Sequence, residues 1–339
     1  MVKYNYCYWL EVARVADAIP HKGKLHNCSV LITGPTGMIC SAVVDMLHWM
    51  NKSHHSNIHV ILSGRSEEKT YHRFPYIAND HHFTFITYDS TNSLEIPIEA
   101  DYIIHGASNA DPTSIACHPV DTMLSNIVGL NTLLKSAVKN NSKRLLLISS
   151  SEVYGKIEKK VSFREGDYGY VDILNPRASY PCSKRAAETL CAAYREEFGL
   201  DFVTIRPGHI YGPSIKFADS RASAQFTRNA KEGKDIVMKS AGTQLRSYCH
   251  TLDCASAILT VLLSGKSGEA YNISSKGLVC TIRDVAEAFA KAGGVEVIFE
   301  NPTTKEKKSY NMMENSSLEG SKLEALGWKP FYDLSEGAT

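Results

Sequence analysis

Tyr180 and Lys184 stand four residues apart within "SYPCSKRAAE", Ser179 to Glu188. Residues at i and i+4 share a helix face, so this spacing sets a phenol beside an ammonium. A free tyrosine titrates near pH 10, too high for a general base at neutral pH. A neighbouring cation favours the phenolate and lowers that value, which would make Tyr180 a proton-shuttling group. A hydroxyl donor at the end of a nearby strand would complete such a site. "ISSSEVYG" (Ile148 to Gly155) offers Ser149, Ser150 and Ser151, with a carboxylate at Glu152. A third stretch, "TGPTGMIC", supplies Gly34-x-x-Gly37-x-x-Cys40 between an apolar strand and a helical pattern. Glycines there let the backbone turn sharply and bring its amides close to a pyrophosphate at the helix N-terminus. The pattern therefore predicts dinucleotide binding. Glycine is usual at the third position, and Cys40 is a small, buryable substitute.

The second strand ends "ILSGRS". A carboxylate at that place would hydrogen-bond the adenosine ribose of NAD. Ser63, Gly64 and Arg65 stand there instead, and Arg65 can pair with a 2′-phosphate, which tilts the reading from NAD toward NADP. Asp89, after the third strand, could accept from the adenine amino group; a turn aspartate is the plain alternative.

These residues need a frame. Short apolar strands are expected at residues 28–33, 58–64, 82–89, 100–108, 143–151 and 201–207. Helical patterns separate them, notably "MICSAVVDMLHWM", "VDTMLSNIVGLNTLLKSAVKN" and the Tyr180 helix running to about Glu197. Alternating strands and helices imply an α/β fold, a Rossmann-type doubly wound parallel sheet covered on both faces. Residues 4–18 read as an amphipathic helix ended near Pro20. After Pro207 the rhythm changes. "GHIYGPSIKFADS" looks like loop, residues 222–233 and 281–293 like helices, "EAYNIS" like a strand, and "SKLEALGWKP" like a short helix stopped by Gly327. We divide the chain into an N-terminal helical extension (1–23), an NAD(P)-binding domain (24–207), and a mainly substrate-binding α/β lobe (208–339) from which segments can return to the sheet. Ligands would lie at the carboxyl ends of the strands.

The 339 residues carry 37 Lys+Arg against 36 Asp+Glu, a net charge of +1, without a basic or acidic block. A nucleic-acid or membrane-surface partner is therefore not expected. Apolar runs such as "AILTVLL" are far too short to span a bilayer, and the N-terminus has no signal-peptide pattern. Nine cysteines without a C-x-x-C fit free thiols and a cytoplasmic location. The pairs His54-His55 and His81-His82 lack supporting ligand spacing, so no metal is expected.

The chain resembles the extended short-chain dehydrogenase/reductase family, particularly its nucleotide-sugar epimerases and dehydratases. The resemblance runs from about Lys24 to Trp328. It rests on "TGPTGMIC", "HGAS", "LSNIVGLNTLL", "ISSSEVYG", "YPCSK", "IRPGHIYGP", "GTQLRSYCHTLD" and "LGWKP". It implies Tyr180 as base, Lys184 as its helper and holder of the nicotinamide ribose, and Ser150 as the hydroxyl that meets the sugar oxygen. It further implies cofactor contacts from Gly34, Thr36, Gly37, Met38, Ile39, Ala107, Ser108, Asn126 and Pro207, and substrate contacts from His209 and Arg246. Arg246 matches the family's diphosphate-binding arginine, and a guanidinium fork suits phosphate oxygens. The shared chemistry begins with hydride transfer to NAD(P), giving a 4-keto sugar that is re-reduced on its other face, loses water, or loses CO2.

Three departures bear on the outcome. Dehydratases of the family carry Asp-Glu before Val-Tyr-Gly; here Ser151 replaces the Asp and Glu152 remains, similar to nucleotide-sugar decarboxylases. Glu152 is read either as catalytic or as a structural carboxylate. His209 stands where the family usually has Asn. Around "TKEKKSY" only Lys305, Lys307 and Lys308 stand near the place of a second diphosphate-binding arginine. The resulting expectation is 4-epimerisation of a UDP-sugar, ahead of decarboxylation, 4,6-dehydration and simple ketone reduction. A non-catalytic NADP-binding sensor is the rival class. The family also implies a homodimer built on the helices around "LSNIVGLNTLLKSAV" and "SKRAAETLCAAYREEF".

Overall fold

A computed structural model describes residues 4–91, 96, 99–158, 162–215, 219, 221–302 and 314–338. The first six strands are β1 (Ser29–Thr33), β2 (His59–Gly64), β3 (Phe83–Thr87), β4 (Tyr102–His105), β5 (Arg144–Ile148) and β6 (Phe202–Pro207). They continue with β7 (His209–Tyr211), β8 (Ile236–Met238), β9 (Leu245–His250), β10 (Ala270–Ile273), β11 (Val279–Thr281), β12 (Val297–Phe299) and β13 (Asn315–Ser316).

One seven-stranded sheet has the order β10-β6-β5-β4-β1-β2-β3, every pair parallel. Strand order reverses between β1 and β4, which opens a crevice beyond their carboxyl ends. The inner strands β1, β4, β5 and β6 are largely short buried apolar runs because helices cover both faces, whereas the edge strand β3 buries none of its residues. On one face lie the helices Tyr6–Asp17, Met38–His54 and Thr251–Ser264, burying residues such as Val15, Val43, Leu47, Ile258 and Leu262. On the other lie Leu130–Lys139 and Ser179–Phe198, burying Leu133, Leu134, Ala187 and Cys191. The structure thus has the doubly wound Rossmann architecture expected from the sequence.

Elements beyond residue 207 complete this sheet. β10 adds the outer strand, with Tyr271 opposite Ile205, and Thr251–Ser264 covers one face. The rest of the second half builds a smaller lobe around β9, which pairs with β7, β11 and β13. His209–Tyr211 is strand rather than loop, because His209 and Tyr211 pair in parallel register with Tyr248 and His250. Three residues are too few for a sequence period to show. The helices Ala222–Lys231 and Ile282–Gly293 pack Phe226, Val285 and Phe289 into a separate apolar cluster. A capping box of Thr281 and Asp284 starts the second helix.

The helical run after residue 118 is interrupted. Pro119–Leu124 passes through a π-helical turn, Ser125–Gly129, before Leu130–Lys139 resumes. Gly129 is required there: a Cβ would lie 2.6 Å from the Ser90 carbonyl oxygen. The N-terminal helix also has a defined seat. Asp45, fully buried on Met38–His54, accepts from the hydroxyls of Tyr4 (3.0 Å), Tyr8 (2.5 Å) and Tyr76. Among the described residues no helix is long and apolar enough to cross a membrane.

Candidate active site

The phosphate turn sits at the crevice between β1 and β4. Gly34 has φ +67, and its Cβ would meet the Cα of Ala107 at 3.0 Å and the carbonyl oxygen of Gly106 at 3.1 Å. Only glycine satisfies both demands. Gly37 is the N-cap of Met38–His54, and no side chain caps that end. The first-turn amides, including those of Met38 and Ile39, are therefore the donors left for an anion. Cys40 is buried, and its thiol donates weakly to the Thr33 carbonyl at 3.7 Å. Its sulfur occupies the space that Gly106 leaves just beyond the end of β4, where a Cβ would come within 2.3 Å of Sγ. The small-residue requirement of the third position has moved across to the end of the neighbouring strand. Thr36 lies in the same turn, half-buried.

The other residues expected at the cofactor lie on several elements. Ser63 is fully buried at the end of β2, its Oγ without a hydrogen-bond partner among the described residues. Arg65 follows on the surface. Asp89 is held as a turn residue by the Thr91 amide (3.0 Å) and hydroxyl (2.8 Å), and these bonds, with the Arg65 charge, keep its carboxyl below the ordinary range. The Ala107 amide donates to the Thr33 hydroxyl at 3.2 Å, with Ser108 next to it. Asn126 lies in the π-helical turn, donates to Thr122 O (2.9 Å) and Ser183 Oγ (3.0 Å), and leaves its buried Oδ1 unsatisfied. Pro207 closes β6, buried. A glycine cradle, an uncapped helix end and orphaned buried atoms together fit a bound dinucleotide.

Tyr180 and Lys184 are on one face of Ser179–Phe198, both buried. The Lys184 Nζ donates to the Ile148 carbonyl (2.8 Å) and lies 5.9 Å from the centre of the Tyr180 ring. The sequence leads one to expect a depressed phenol, but the structure gives the reverse. Burial pushes Tyr180 up to about 12, and the Glu152 charge adds to this; a hydrogen bond with Ser150 and the charges of Arg221 and Arg177 pull the other way. Burial likewise lowers Lys184 to about 8. Desolvation is the largest cause of both shifts.

Ser150 caps the short 3-10 turn Ser151–Tyr154, accepting from the Glu152 amide at 3.2 Å. That turn presents Ser151 and aims Glu152 toward Tyr180. Arg177 holds the Glu152 carboxylate in a two-pronged pair, 2.8 and 3.0 Å. Ser149 is buried with an unsatisfied Oγ.

In the second lobe, His209 stands on β7 and Arg246 on β9, and the Arg246 charge reaches His209. The His209 ring lies 5.2 Å from that of Tyr248, and its Nδ1 has no partner among the described residues. Burial, with the charges of Arg246 and Arg221, holds His209 down to about 3, so it is a neutral imidazole. Arg246 is 2% exposed and donates to the Leu245 carbonyl at 2.7 Å. Lys305, Lys307 and Lys308 lie outside the described residues.

Two residues are added by the structure. Arg177 precedes Tyr180 by three positions, a helical spacing that could have been noticed. Arg221 had no signal: it sits at the start of Ala222–Lys231, its Nη2 paired with Asp219 and 4.0 Å from the Met38 sulfur, and its charge reaches both Tyr180 and His209.

Comparison with known proteins agrees with this geometry. UDP-glucuronic acid decarboxylase 1 of Xenopus tropicalis is 28% identical over 310 residues, covering 91% of this chain and 70% of that protein. UDP-glucuronic acid decarboxylase 3 of Arabidopsis thaliana is 29% identical over 317 residues, covering 92% and 87%. The crystal structure of UDP-glucuronic acid 4-epimerase from Bacillus cereus, in complex with UDP-glucuronic acid and NAD, shares the fold with a TM-score of 0.74 at 23% identity, covering 91% of this chain and 96% of that one. Residues 30–274 match the model of the NAD dependent epimerase/dehydratase family. The chain belongs to that family.

Proposed function

We propose that the protein is an NAD-dependent nucleotide-sugar decarboxylase acting on a UDP-linked uronic acid. The observation that carries this reading is the turn Ser151-Glu152 beside Tyr180. Glu152 is clamped by Arg177, and Ser151 stands where elimination of water would want a carboxylic acid. A serine is a poor general acid. Decarboxylation does not need that acid, because CO2 leaves without a proton.

The family is NAD dependent, and Gly34, Gly37 and the first-turn amides of Met38–His54 would hold the pyrophosphate. When bound, NAD supplies the hydride acceptor. Tyr180 takes the proton of the sugar C4 hydroxyl, with Ser150 sharing the hydrogen bond. A ketone at C4 stands β to the carboxylate on C5, so the C5–carboxylate bond breaks and its electron pair enters the enolate. A proton then returns to C5, which Glu152, fixed by Arg177, would manage; return of the hydride to C4 and of the Tyr180 proton to its oxygen would then reduce the ketone and restore the oxidised cofactor. Arg246 would hold the diphosphate and Arg221 an anionic sugar group, each guanidinium matching oxyanions. The decarboxylase relatives support this order over 4-epimerisation, which the sequence alone ranks first.

The test is incubation of purified protein with UDP-glucuronic acid beside a panel of neutral UDP-, dTDP-, GDP- and CDP-sugars, products read by mass and NMR. Loss of CO2 from the uronate alone is expected. An unchanged mass with inverted C4 assigns epimerisation, loss of water assigns dehydration, and bound NAD without turnover assigns a sensor.

A further inference from the structure

A cluster far along the chain from the residues above has no part in that chemistry. Met38–His54 carries His48, buried against the rings of Tyr76 and Phe83, and the segment leading into β3 carries Asp80, His81 and His82. Packing of the helix on the edge of the sheet brings them together. One ligand atom from each of Asp80, His81 and His82 lies within 4.8 Å of the others. Asp80 is 9% exposed, and its Oδ1 accepts from His82 Nδ1 at 2.8 Å. Its other oxygen, Oδ2, is buried and has no hydrogen-bond partner among the described residues.

His48 supplies the independent observation. It is 8% exposed, and its Nδ1 is likewise buried without a hydrogen-bond partner. That nitrogen points at Asp80 Oδ2 from 3.5 Å. Two buried polar atoms facing each other unsatisfied are costly unless something joins them. The Lys52 ammonium also stands 3.5 Å from Asp80 Oδ2, but its side chain is 61% exposed and can swing into water.

We propose that His48, Asp80, His81 and His82 bind one zinc-class divalent transition-metal ion. Imidazole nitrogens with one carboxylate suit zinc, copper or nickel and do not suit magnesium or calcium, which take oxygen ligands. Two ligands of one zinc are at most about 4.2 Å apart, so Asp80, His81 and His82 need to close by roughly an ångström or less, and the His48 ring, which stands outside that trio and beside Asp80, has to move in to join them. The ion would join the unsatisfied Nδ1 and Oδ2. It would also tie the helix that begins at the phosphate turn to β3, the edge strand of the sheet. The proposal departs from the sequence expectation of no metal; in sequence His48 stands more than thirty residues from its partners.

The test uses the full chain, stripped with a chelator and titrated with Zn2+ by calorimetry and with Co2+ by visible absorption. One ion per chain is expected, with tetrahedral ligand-field bands and no thiolate charge-transfer band. His81→Ala, which alters an exposed ring, and the double variant His48→Ala/His82→Ala should weaken binding about tenfold or more. His54→Ala/His55→Ala should not. Circular dichroism checks that each variant folds. Failure of the stripped protein to bind near one ion, a thiolate band, or binding undiminished in folded His81→Ala and the double variant overturns the proposal.

Discussion

Gly106→Ala isolates how this chain replaces the usual third glycine. Gly106 has no positive φ, so its backbone accepts alanine. The obstacle is packing: the new Cβ would lie 2.3 Å from Cys40 Sγ, 3.2 Å from Ile148 Cδ1 and 3.3 Å from the Thr33 carbonyl oxygen. Cys40 is fixed in the first turn of Met38–His54 and cannot retreat without moving that helix end. Overpacking of this kind costs about 1–3 kcal/mol. Cys40→Ala removes the sulfur and forfeits about 1 kcal/mol of burial. It also frees the space, so Gly106→Ala should then cost about 1–2 kcal/mol less than in the parent. Urea midpoints of the four proteins measure the coupling, with m-values confirming a common transition. NAD affinity should fall with Gly106→Ala and recover in the double variant, because the displaced helix end is the phosphate site. Equal costs in both backgrounds would refute the argument that Gly106 and Cys40 divide one small-residue requirement between them.

Tyr180→Phe should abolish turnover, by about 100-fold or more as expected for loss of a general acid–base group, while leaving NAD binding by fluorescence within a few-fold. Arg177→Met should lower kcat more than it raises KM, since it releases Glu152 without touching the cofactor cradle; an unchanged kcat would make Glu152 structural. Burial raises Asp45 from 3.8 to about 7. Its stabilising proton is fully present below pH 3.8 and lost as pH rises through 7, at up to about 1.4 kcal/mol per pH unit. Asp45→Asn should flatten the fall in urea stability between pH 5 and pH 7 that the parent shows. We propose a homodimer through the exposed Val120, Met123, Leu124, Val128 and Phe198 of the two expected helices; light scattering should give twice the chain mass, and Val128→Glu should halve it.

Much of this was legible in sequence for physical reasons. Strands buried on both faces must be largely apolar runs, so β1, β2, β4, β5 and β6 announced themselves, while the edge strand β3 showed through its β-branched and aromatic residues; a turn needing φ > 0 must advertise its glycine, as Gly34 does. The i, i+4 spacing placed Tyr180 and Lys184 correctly. What stayed hidden depends on distance in sequence. β7 is too short to have a period. Arg221 reaches the crevice from a loop whose path only the packed second lobe fixes. His48 and Asp80 meet because a helix lies on the edge of a sheet, and no local pattern records that. Most instructive is the sign of the Tyr180 shift. Spacing tells which charges are neighbours, but the cost of desolvating them is a property of the packed core.

That sign constrains how the site can work. A phenol held up to about 12 lies five units above neutral pH, a gap of about 7 kcal/mol. A unit charge at about 6 Å, the separation of Lys184 Nζ from the ring, is worth about 3 kcal/mol at an effective dielectric of 20, roughly two units. Lys184 alone therefore does not make Tyr180 a base. Arg177 and Arg221 both act in the same direction but are partly spent on Glu152 and Asp219. The remaining requirement is a cation in the crevice itself, which oxidised NAD provides and reduced NAD does not. On the proposed reading Tyr180 would act as a base only with the oxidised cofactor bound, and without that charge it would keep its proton for return to the C4 oxygen. A dry, high-affinity phenol would thus suit a reaction that both removes and restores hydride within one site.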